Sequence, residues 1–416
     1  MLLTRDPARG PESLSDYVAR DGYAALADTL GRRDPGALVQ RVTDAGLTGR
    51  GGAGFPAGRK WAIAAGASAP QKWVVANGGE HEPGSRKDRV LTATHPHTVL
   101  EGMALCGFAT GATKGVLYLI EDMEDALRAA ERAIDDALAA GHLGEDLYAT
   151  GWSFEVTVHR APTTYVAGEE TAALNAIEGK PAKPRQKPPY PGERGLHGQP
   201  TTVNNVETLA HVPGIVRHGA EWFRGLGTPG AAGTMLFTLP NNVPRPGVYE
   251  LPFGATFREL IEGRGGGLAD GRAIKAILPA ASATWLTAEA LDWPIDPAFL
   301  KARGASLGCG GVTLVAEGEC LVERVGSIAK FFMAEQCGQC APCRMLTNTY
   351  AAVLAKVRAG GAGDYVAQLD KVAAFAIGKG WCSLIAMAAA PVRSAVARFP
   401  EDFAHHAAHG RCAGVP

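Results

Sequence analysis

The chain has 416 residues, and its 41 Lys and Arg residues nearly balance its 42 Asp and Glu residues, for a formal net charge of -1. This length predicts two to four domains, since roughly 150 residues make a domain, and the balanced charge excludes a global field that would bind nucleic acid or an anionic membrane. Glycine is in excess, with 53 residues, so many turns are expected to use backbone conformations that glycine adopts most easily.

The sequence predicts neither a membrane span nor a secretion signal. The most tempting uncharged window, 225–244, is interrupted by glycines, prolines and the pair Asn241 and Asn242. Residues 1–16 are polar and lack the apolar core of a signal peptide. We therefore expect a cytoplasmic protein whose eight cysteines are reduced.

In chain order, the first elements predicted are a helical entry segment and an α/β layer. Apolar residues recur at helical intervals between residues 12 and 45. Short apolar runs then alternate with helical stretches, which is typical of an α/β fold with strands buried between helices. The runs are 73–76, 115–120, 154–158 and 165–167, and the helical stretches are 96–108, 123–140 and 170–178.

The pattern changes near residue 233, where compact apolar segments divided by turn signals predict a small mixed β region. These segments are 235–239, 247–251, 257–261 and 273–278. From about Glu319 the apolar spacing is helical to the end of the chain. We thus predict a helical segment with the start of a glycine-rich loop (1–57), an α/β domain (58–230), a mixed β domain (231–318) and a helical domain (319–416).

Four cysteines have the spacing of an iron-sulfur site. Cys337, Cys340 and Cys343 form C-x2-C-x2-C, and Cys382 follows much later. Three thiolates from one loop and a distant fourth can ligate a [4Fe-4S] cluster. Zinc competes, but its sites usually bring two C-x2-4-C pairs, so iron and sulfur are favoured.

The other cysteines lack such spacing, and we interpret them as packing residues. They are Cys106, Cys309, Cys320 and Cys412.

A glycine-rich loop follows the entry segment, with Gly49, Gly51 and Gly54 in a G-x-G-x-x-G pattern. A helical pattern rather than a strand precedes it, which argues against the ordinary Rossmann fingerprint. Bare amides and the cations Arg50, Arg59 and Lys60 suit a phosphate or pyrophosphate. A plain surface turn would need neither feature.

Two acidic segments, 77–84 and 165–170, lie just after or within predicted strands, and a third polar segment spans 200–208. Open α/β sheets place their ligands at the carboxyl ends of strands. A single surface Glu is usually just solvated, but clusters at several strand ends predict a shared polar pocket.

Five segments, in this order and spacing, resemble the flavin-binding, NADH-oxidising subunit of respiratory complex I and related diaphorase subunits of NAD-linked hydrogenases and formate dehydrogenases. They are GLTGRGGAGFPAGRKW, NGGEHEPGSRKDR, YVAGEET, PTTVNNVET, and CGQCAPCR with the late Cys382. The stretch RPGVYELPFGATFRELI is similar to the family's ubiquitin-like (β-grasp) middle domain. The resemblance covers nearly the whole chain.

The resemblance implies a Rossmann-like FMN-binding α/β domain, a small β-grasp domain and an all-α helical bundle with a [4Fe-4S] cluster. The residues implied to hold FMN are Gly49, Arg50, Gly51, Gly52, Asn77, Glu80, Tyr165, Gly168, Asn204 and Asn205. Those implied on the NADH side are the catalytic carboxylates Glu82 and Glu170, with Glu169, Lys60, Lys187 and the adenine-contacting Phe55 and Tyr190. The metal ligands are Cys337, Cys340, Cys343 and Cys382.

The implied activity is electron entry, in which a hydride passes from NADH to FMN and single electrons pass to the cluster. No side-chain base is required, since the protein supplies orientation. The implied partners are a thioredoxin-like [2Fe-2S] subunit and other redox subunits of a larger complex, which would link the chain only indirectly to the inner face of the cell membrane.

Two alternatives stay open. One is a diaphorase subunit of a formate dehydrogenase, hydrogenase or ferredoxin-linked reductase. The other is a non-catalytic subunit that keeps the cluster for assembly or electron relay. Its only support is two departures from the family pattern, since Gly79 replaces Asp and Ile63 replaces an aromatic residue. A third departure is Ala167, which replaces a common Cys.

Overall fold

The computed structural model describes residues 2–5, 7–361 and 363–412. The chain divides into two compact units. The first comprises Met1–His81, Arg86–Leu236 and Val248–Gly254, and the second comprises Glu82–Ser85, Phe237–Gly247 and Ala255–Pro416. In the ranges that the structure describes, no helix combines the length and the apolar character needed to cross a membrane.

The first unit is a parallel sheet with helices packed against it. Its strands are β1 (Trp73–Gly78), β2 (Lys114–Ile120), β3 (Glu155–Ala161) and β4 (Thr201–Asn205). Its helices are α1 (Leu14–Ala19), α2 (Ala24–Arg32), α3 (Pro35–Asp44), α4 (Ala57–Gly66), α5 (Lys87–Thr94), α6 (Pro96–Thr110), α7 (Glu124–Ala139), α8 (Glu170–Ile177), α9 (Pro191–Arg194), α10 (Val206–His218) and α11 (Ala220–Gly225).

The strand order is β3-β2-β1-β4, and each neighbouring pair is parallel. Strand β1 is central, so that Asn77 pairs with Tyr118 of β2 on one side and with Asn205 of β4 on the other. The chain continues from β1 to β2 in one direction and returns to add β4 in the other. The carboxyl ends of β1 and β4 therefore form a topological switch point, where open α/β sheets bind ligands.

A buried carboxylate joins the N-terminal helices to the sheet-covering helix α6. Glu101 of α6 accepts hydrogen bonds from the backbone N–H groups of Tyr23 at 3.0 Å and Leu26 at 3.1 Å, and from the hydroxyl of Tyr17. Burial raises the pKa of Glu101 despite these bonds. The paired carboxylate thus fixes where the entry segment packs.

The second unit contains short strands and a helical C-terminal region. Its elements are β7 (Ile274–Leu278), β8 (Leu286–Thr287), α12 (Pro297–Ala302), β9 (Thr313–Ala316), α13 (Leu321–Glu335), α14 (Ala341–Arg358), α15 (Tyr365–Ala376), α16 (Leu384–Arg398) and α17 (Pro400–His409). Strand β7 pairs antiparallel with both β8 and β9. Strands β5 (Thr234–Leu239) and β6 (Gly247–Pro252) form a separate pair.

Most sequence-predicted elements are confirmed, including the helical entry, strands β1 to β3 and the helical C-terminal region. The strand predicted at 165–167 is wrong. Tyr165–Gly168 is a 3-10 turn, closed by Ala167 N–H donating to Thr164 O at 2.9 Å. Three apolar residues are too few to specify a strand, and local turn bonds satisfy their backbone instead. Residues 259–261 of the segment 257–261 belong to a helical turn, Glu259–Arg264, which lies inside the predicted mixed β region.

Close packing of α6 on α10 leads to a test of the fold. A Cβ atom at Gly102 would lie 2.1 Å from the carbonyl oxygen of Leu209. We expect Gly102→Ala to destabilise the first unit by about 3 kcal/mol or more, because the backbones must separate. Gly31→Ala is the matched control, since nothing lies within 4 Å of its added Cβ. Equal thermal unfolding temperatures for the two variants would contradict this packing.

Candidate functional site

The switch point of the first unit brings together the three polar segments that the sequence singled out. Asn77 Nδ2 donates to the carbonyl of Gly168 at 2.9 Å, and Asn77 Oδ1 accepts from Gly79 N–H at 2.9 Å. Asn205 Nδ2 donates to the carbonyl of Asn77 at 3.1 Å. The ends of β1 and β4 and the turn at Tyr165–Gly168 therefore meet at one edge of the sheet.

The glycine-rich loop reaches the same edge. Gly49 N–H donates to Phe55 O at 2.9 Å and Ala57 N–H donates to Leu47 O at 2.8 Å, which closes the loop. A Cβ at Gly51 would lie 3.3 Å from Cβ of Asn205, so the loop backbone lies against the end of β4. Gly52 has a φ of 104°, which a residue with a side chain rarely adopts. The loop is exposed and ends at the N-terminus of α4, a favourable place for a phosphate.

The Arg50 side chain, which the sequence analysis interprets as a cation for a phosphate, makes its contacts within the protein. The side chain is buried, and its guanidinium donates to the carbonyls of Thr48, Ala232 and Thr234 at 2.9, 2.7 and 3.0 Å. Burial lowers the pKa of Arg50 to about 10. Its donors hold the loop in place, so a phosphate at this segment has the exposed loop backbone and the side chains of Arg59 and Lys60 to contact.

A buried charge network lies beneath Asn205. Lys87 Nζ contacts Asp88 Oδ1 at 2.6 Å, Glu207 Oε2 at 2.8 Å and Asn205 Oδ1 at 3.2 Å. Burial alone would lower the pKa of Lys87, but the Asp88 and Glu207 carboxylates raise this pKa above its ordinary value. Asn205 Nδ2 also donates to Asp88 Oδ2 at 2.6 Å. The ionised network thus orients the Asn205 amide.

The sequence analysis missed this network, although Lys87 and Asp88 stand in the NGGEHEPGSRKDR segment. The sequence carries no signal for it, because Lys87 and Asp88 stand in the polar run 85–89, which is typical of a solvated surface, whereas charges are almost never fully buried unless paired.

The Glu80 carboxylate is held by backbone groups of α5 at the same edge of the sheet. Its carboxylate accepts from the backbone N–H groups of Asp88 at 3.2 Å and Arg89 at 3.1 Å, at the start of α5. The neighbouring Gly79 is tightly placed, because a Cβ there would lie 2.9 Å from Asn77 Oδ1. Any side chain at position 79 would therefore require Asn77 to move.

Two carboxylates and two ammonium groups alternate beside the turn. Lys60 Nζ lies 3.1 Å from Glu170 Oε2, and Lys187 Nζ lies 3.2 Å from Glu170 Oε1 and 2.9 Å from Glu169 Oε1. Glu169 also caps α8 by accepting from the N–H of Thr171 at 2.8 Å. Burial raises the pKa of Glu170, but Lys60 and Lys187 outweigh burial and hold this pKa below its ordinary value. Glu170 is therefore ionised and electrically neutralised by its partners.

Apolar side chains of the first unit are exposed next to this cluster of charges. Phe55 is 42% exposed and Tyr190 is 56% exposed. Lys60 Nζ lies 6.0 Å from the centre of the Phe55 ring. Ile63 of α4 packs near α9, since a Cβ at Gly192 would lie 3.1 Å from Ile63 Cγ2. These side chains offer an apolar surface to a flat ligand.

Glu82 and the adjacent His81 have different surroundings. Glu82 belongs to the second unit, where its Oε1 accepts from the N–H and hydroxyl of Ser282 at 2.7 and 2.6 Å. His81 belongs to the first unit, and burial lowers its pKa to about 4. Its Nε2 is buried without a hydrogen-bond partner in the described part of the chain. A neutral ring nitrogen is thus available near Gly168, a feature that the sequence analysis missed.

The four predicted metal-ligating cysteines surround one cavity of the second unit. It is lined by Cys337, Gly338, Cys340, Cys343, Gly380, Trp381, Cys382, Leu384 and Ile385. Burial, and then the neighbouring Cys382, Cys340 and Cys337, raise the pKa of the Cys343 thiol to about 12. The four cysteines can therefore be ionised at the same time only when a cationic centre binds their sulfurs.

The donor groups around these sulfurs fit an iron-sulfur cluster. The N–H of Trp381 points to Cys340 Sγ at 3.5 Å, and the side-chain amide of Gln339 points to Cys337 Sγ at 3.6 Å. N–H groups directed at cluster sulfurs are a usual means of tuning reduction potential. Gly338 has a φ of 82°, which lets the loop turn between two ligands.

Comparison with protein families matches two regions of the chain. Residues 42–214 match the Nuo51 FMN-binding domain, which includes the glycine-rich loop and the whole parallel sheet. Residues 323–406 match the NADH-ubiquinone oxidoreductase-F iron-sulfur binding region, which includes the four cysteines of the cavity.

Relatives cover nearly the whole chain. The NADH-quinone oxidoreductase F 2 subunit of Rhizobium meliloti (strain 1021) is 40% identical over 96% of this chain and 95% of its own length. The NADP-reducing hydrogenase subunit HndC of Solidesulfovibrio fructosivorans is 38% identical over 97% of this chain and 82% of its own. A crystal structure of NAD+-reducing [NiFe]-hydrogenase in the H2-reduced state superposes with a TM-score of 0.82 at 35% identity; the match covers 92% of this chain but 65% of that chain.

Because the two sites lie in separate units, we expect cluster iron and FMN to be lost independently of each other. We expect Cys340→Ser to remove most of the cluster iron while FMN stays bound, because the glycine-rich loop and the cysteine cavity lie in different units. Cys309→Ser is the matched control, since Cys309 does not line the cavity. Iron and flavin are measured per chain after anaerobic purification. Loss of FMN together with iron in Cys340→Ser would contradict the separation.

Proposed function

This chain belongs to the family of NADH-quinone oxidoreductase F subunits and their hydrogenase relatives, and from that premise we propose that it is the subunit through which NADH electrons enter a redox complex. It is a flavo-iron-sulfur NADH oxidoreductase. FMN bound to this chain would supply the chemistry that links two-electron hydride transfer from NADH to single-electron transfer into the [4Fe-4S] cluster. The observation that carries this proposal is that a nucleotide-binding switch point and a four-cysteine cavity lie on one chain.

The residues proposed to hold FMN are those at the switch point. The exposed backbone amides of Gly51 and Gly52 face the phosphate. Asn77 Nδ2 donates one hydrogen bond to the carbonyl of Gly168 and offers its second N–H to the flavin part. Asn205 lines the proposed site with its side-chain amide already paired to Asn77, Asp88 and Lys87. Asn204 is buried and is proposed to support the FMN site by fixing Trp61 of α4, since its Oδ1 accepts from the Trp61 indole N–H at 2.9 Å. Gly49, Arg50, Glu80, Tyr165 and Gly168 complete the proposed set, with Arg50 acting on the loop rather than on the phosphate.

The cluster of Lys60, Glu169, Glu170 and Lys187 is proposed to receive NADH. The carboxylates can accept hydrogen bonds from ribose hydroxyls or the carboxamide, and the lysines can face the diphosphate. Because the four charges already compensate one another, they can exchange partners when NADH arrives without leaving a buried charge unpaired. Phe55 and Tyr190 are proposed to contact the adenine, and Glu82 is proposed to act with Glu170 in positioning NADH.

We propose the domain boundaries 1–57, 58–230, 231–318 and 319–416, with a β-grasp middle domain. Support comes from the strand pairing, because Thr238 of β5 bridges in parallel to Gly311, just before β9, while β9 pairs with β7. A parallel pair of first and last strands next to antiparallel neighbours is the arrangement that a β-grasp requires.

The proposed partners are redox subunits of a larger complex, including a thioredoxin-like [2Fe-2S] subunit that receives the electrons. We propose that the chain works in the cytoplasm, and reaches the inner face of the cell membrane only through such subunits. A diaphorase role in a hydrogenase is the second candidate, and the 38% identity to a hydrogenase subunit favours it specifically. In either complex this chain performs the same electron entry.

Anaerobic NADH titration of the reconstituted protein tests this function. We expect NADH to bleach the flavin absorbance and to produce the EPR signal of a reduced [4Fe-4S] cluster. In Cys340→Ser the flavin should still bleach while the cluster signal disappears, because Cys340 lines the cysteine cavity and is not among the residues proposed to hold FMN or NADH. A holoprotein whose flavin does not respond to NADH would instead support the non-catalytic relay.

Removing one charge from the proposed NADH site should weaken binding. We expect Glu170→Gln to raise the Kd for NADH by about tenfold, since a hydrogen bond to a charged group contributes about 1.5–3 kcal/mol. Glu178→Gln is the control, because Glu178 follows the same helix and forms similar pairs with Lys180 and Arg185 at 2.6 and 2.9 Å. Similar Kd values for both variants would exclude Glu170 from the site.

A further inference from the structure

A second cluster of soft ligands lies in the helical region of the second unit. Cys320 caps the N-terminus of α13, His406 lies on α17, and Cys412 follows that helix. His406 Nε2 lies 3.2 Å from Cys320 Sγ and 3.0 Å from Cys412 Sγ. The three atoms lie within 4.8 Å of one another. The cluster shares no residue with the cysteine cavity.

Hydrogen bonding alone accounts poorly for this arrangement. A single ring nitrogen offers one N–H or one lone pair, yet Nε2 of His406 faces two sulfur atoms at nearly equal distance. Sulfur is a weak hydrogen-bond partner, so neither contact is strong. A metal ion between the three atoms would satisfy all of them at once.

The ligand set selects the metal. Two sulfurs and an imidazole nitrogen suit zinc, which is bound tetrahedrally by Cys and His. Zinc bonds of about 2.3 Å to sulfur and about 2.0 Å to nitrogen give a tetrahedral N···S edge of roughly 3.5 Å. The distances in the structure are a few tenths of an ångström shorter, so the side chains need only separate slightly.

A backbone donor and the charge of the metal ion would both stabilise the sulfur ligands. The backbone N–H of Glu323 donates to Cys320 Sγ at 3.3 Å, at the positive end of α13. Two thiolates balance the double charge of Zn2+, which makes the buried centre neutral overall. Asp402 stands one turn before His406, but Lys275 holds it at 2.7 Å. The described residues therefore supply three ligand atoms for the ion.

The geometry points to a structural zinc site formed by Cys320, His406 and Cys412. Binding of one Zn2+ releases the two thiol protons to solvent and leaves both sulfurs as thiolates. The ion joins Cys320, at the start of α13, to His406 on α17 and to Cys412 just after that helix. Cys320 and His406 are 86 residues apart in the sequence. It thereby closes the helical region that carries the iron-sulfur site without taking part in electron transfer.

Metal analysis of the full-length protein, purified anaerobically with its cluster, tests this site. We expect about one zinc per chain in the unmodified protein, and less than about a tenth of that in Cys320→Ser and Cys412→Ser. Cys309→Ser should keep its zinc. Cys340→Ser should also keep it while losing iron, which separates this site from zinc misincorporated into the cluster cavity.

A rescue variant distinguishes ligation from packing. His406→Cys should retain zinc as a three-cysteine site, whereas His406→Ala should lose it. Apo protein titrated with Co2+ should develop a thiolate-to-cobalt charge-transfer band that Cys412→Ser lacks. The proposal is overturned if the unmodified protein binds neither Zn2+ nor Co2+, if Cys412→Ser keeps its zinc, or if Cys320 and Cys412 form a disulfide in the anaerobic protein.

Discussion

The pairing of β4 with β1, on the side opposite β2, is the constraint on which the candidate flavin site depends. It places Asn205 beside Asn77 and leaves a crevice at the carboxyl ends of both strands. The buried network of Lys87, Asp88 and Glu207 then orients the Asn205 amide. The glycine-rich loop can lie against this edge because Gly51 has no side chain to collide with Asn205.

The pairing of opposite charges is a second feature of the first unit. The half-buried charges beside the turn Tyr165–Gly168 balance one another, since Glu169 and Glu170 pair with Lys60 and Lys187. Isolated charges would be costly at these positions, whereas paired charges can be exchanged for those of a ligand. The near-zero net charge of the chain, -1, therefore conceals local charge clusters that suit a dinucleotide.

Sequence reasoning predicted the order of layers and the segments of the site well, because glycines, acidic clusters and cysteine spacing reflect local requirements. It could not predict side-chain partners that depend on distant segments. Arg50 looked like a phosphate ligand until its contacts with the carbonyls at Ala232 and Thr234 were seen. Cys320 and Cys412 looked like packing residues, since their common neighbour His406 is adjacent only in the folded chain.

A structure of the chain with FMN bound is the most direct test of the central claim. The account predicts flavin density at the carboxyl ends of β1 and β4, against Asn77 and Asn205, with the phosphate facing the amides of the glycine-rich loop. Nucleotide density elsewhere, with the loop and both asparagine side chains free of contact with it, would contradict the account.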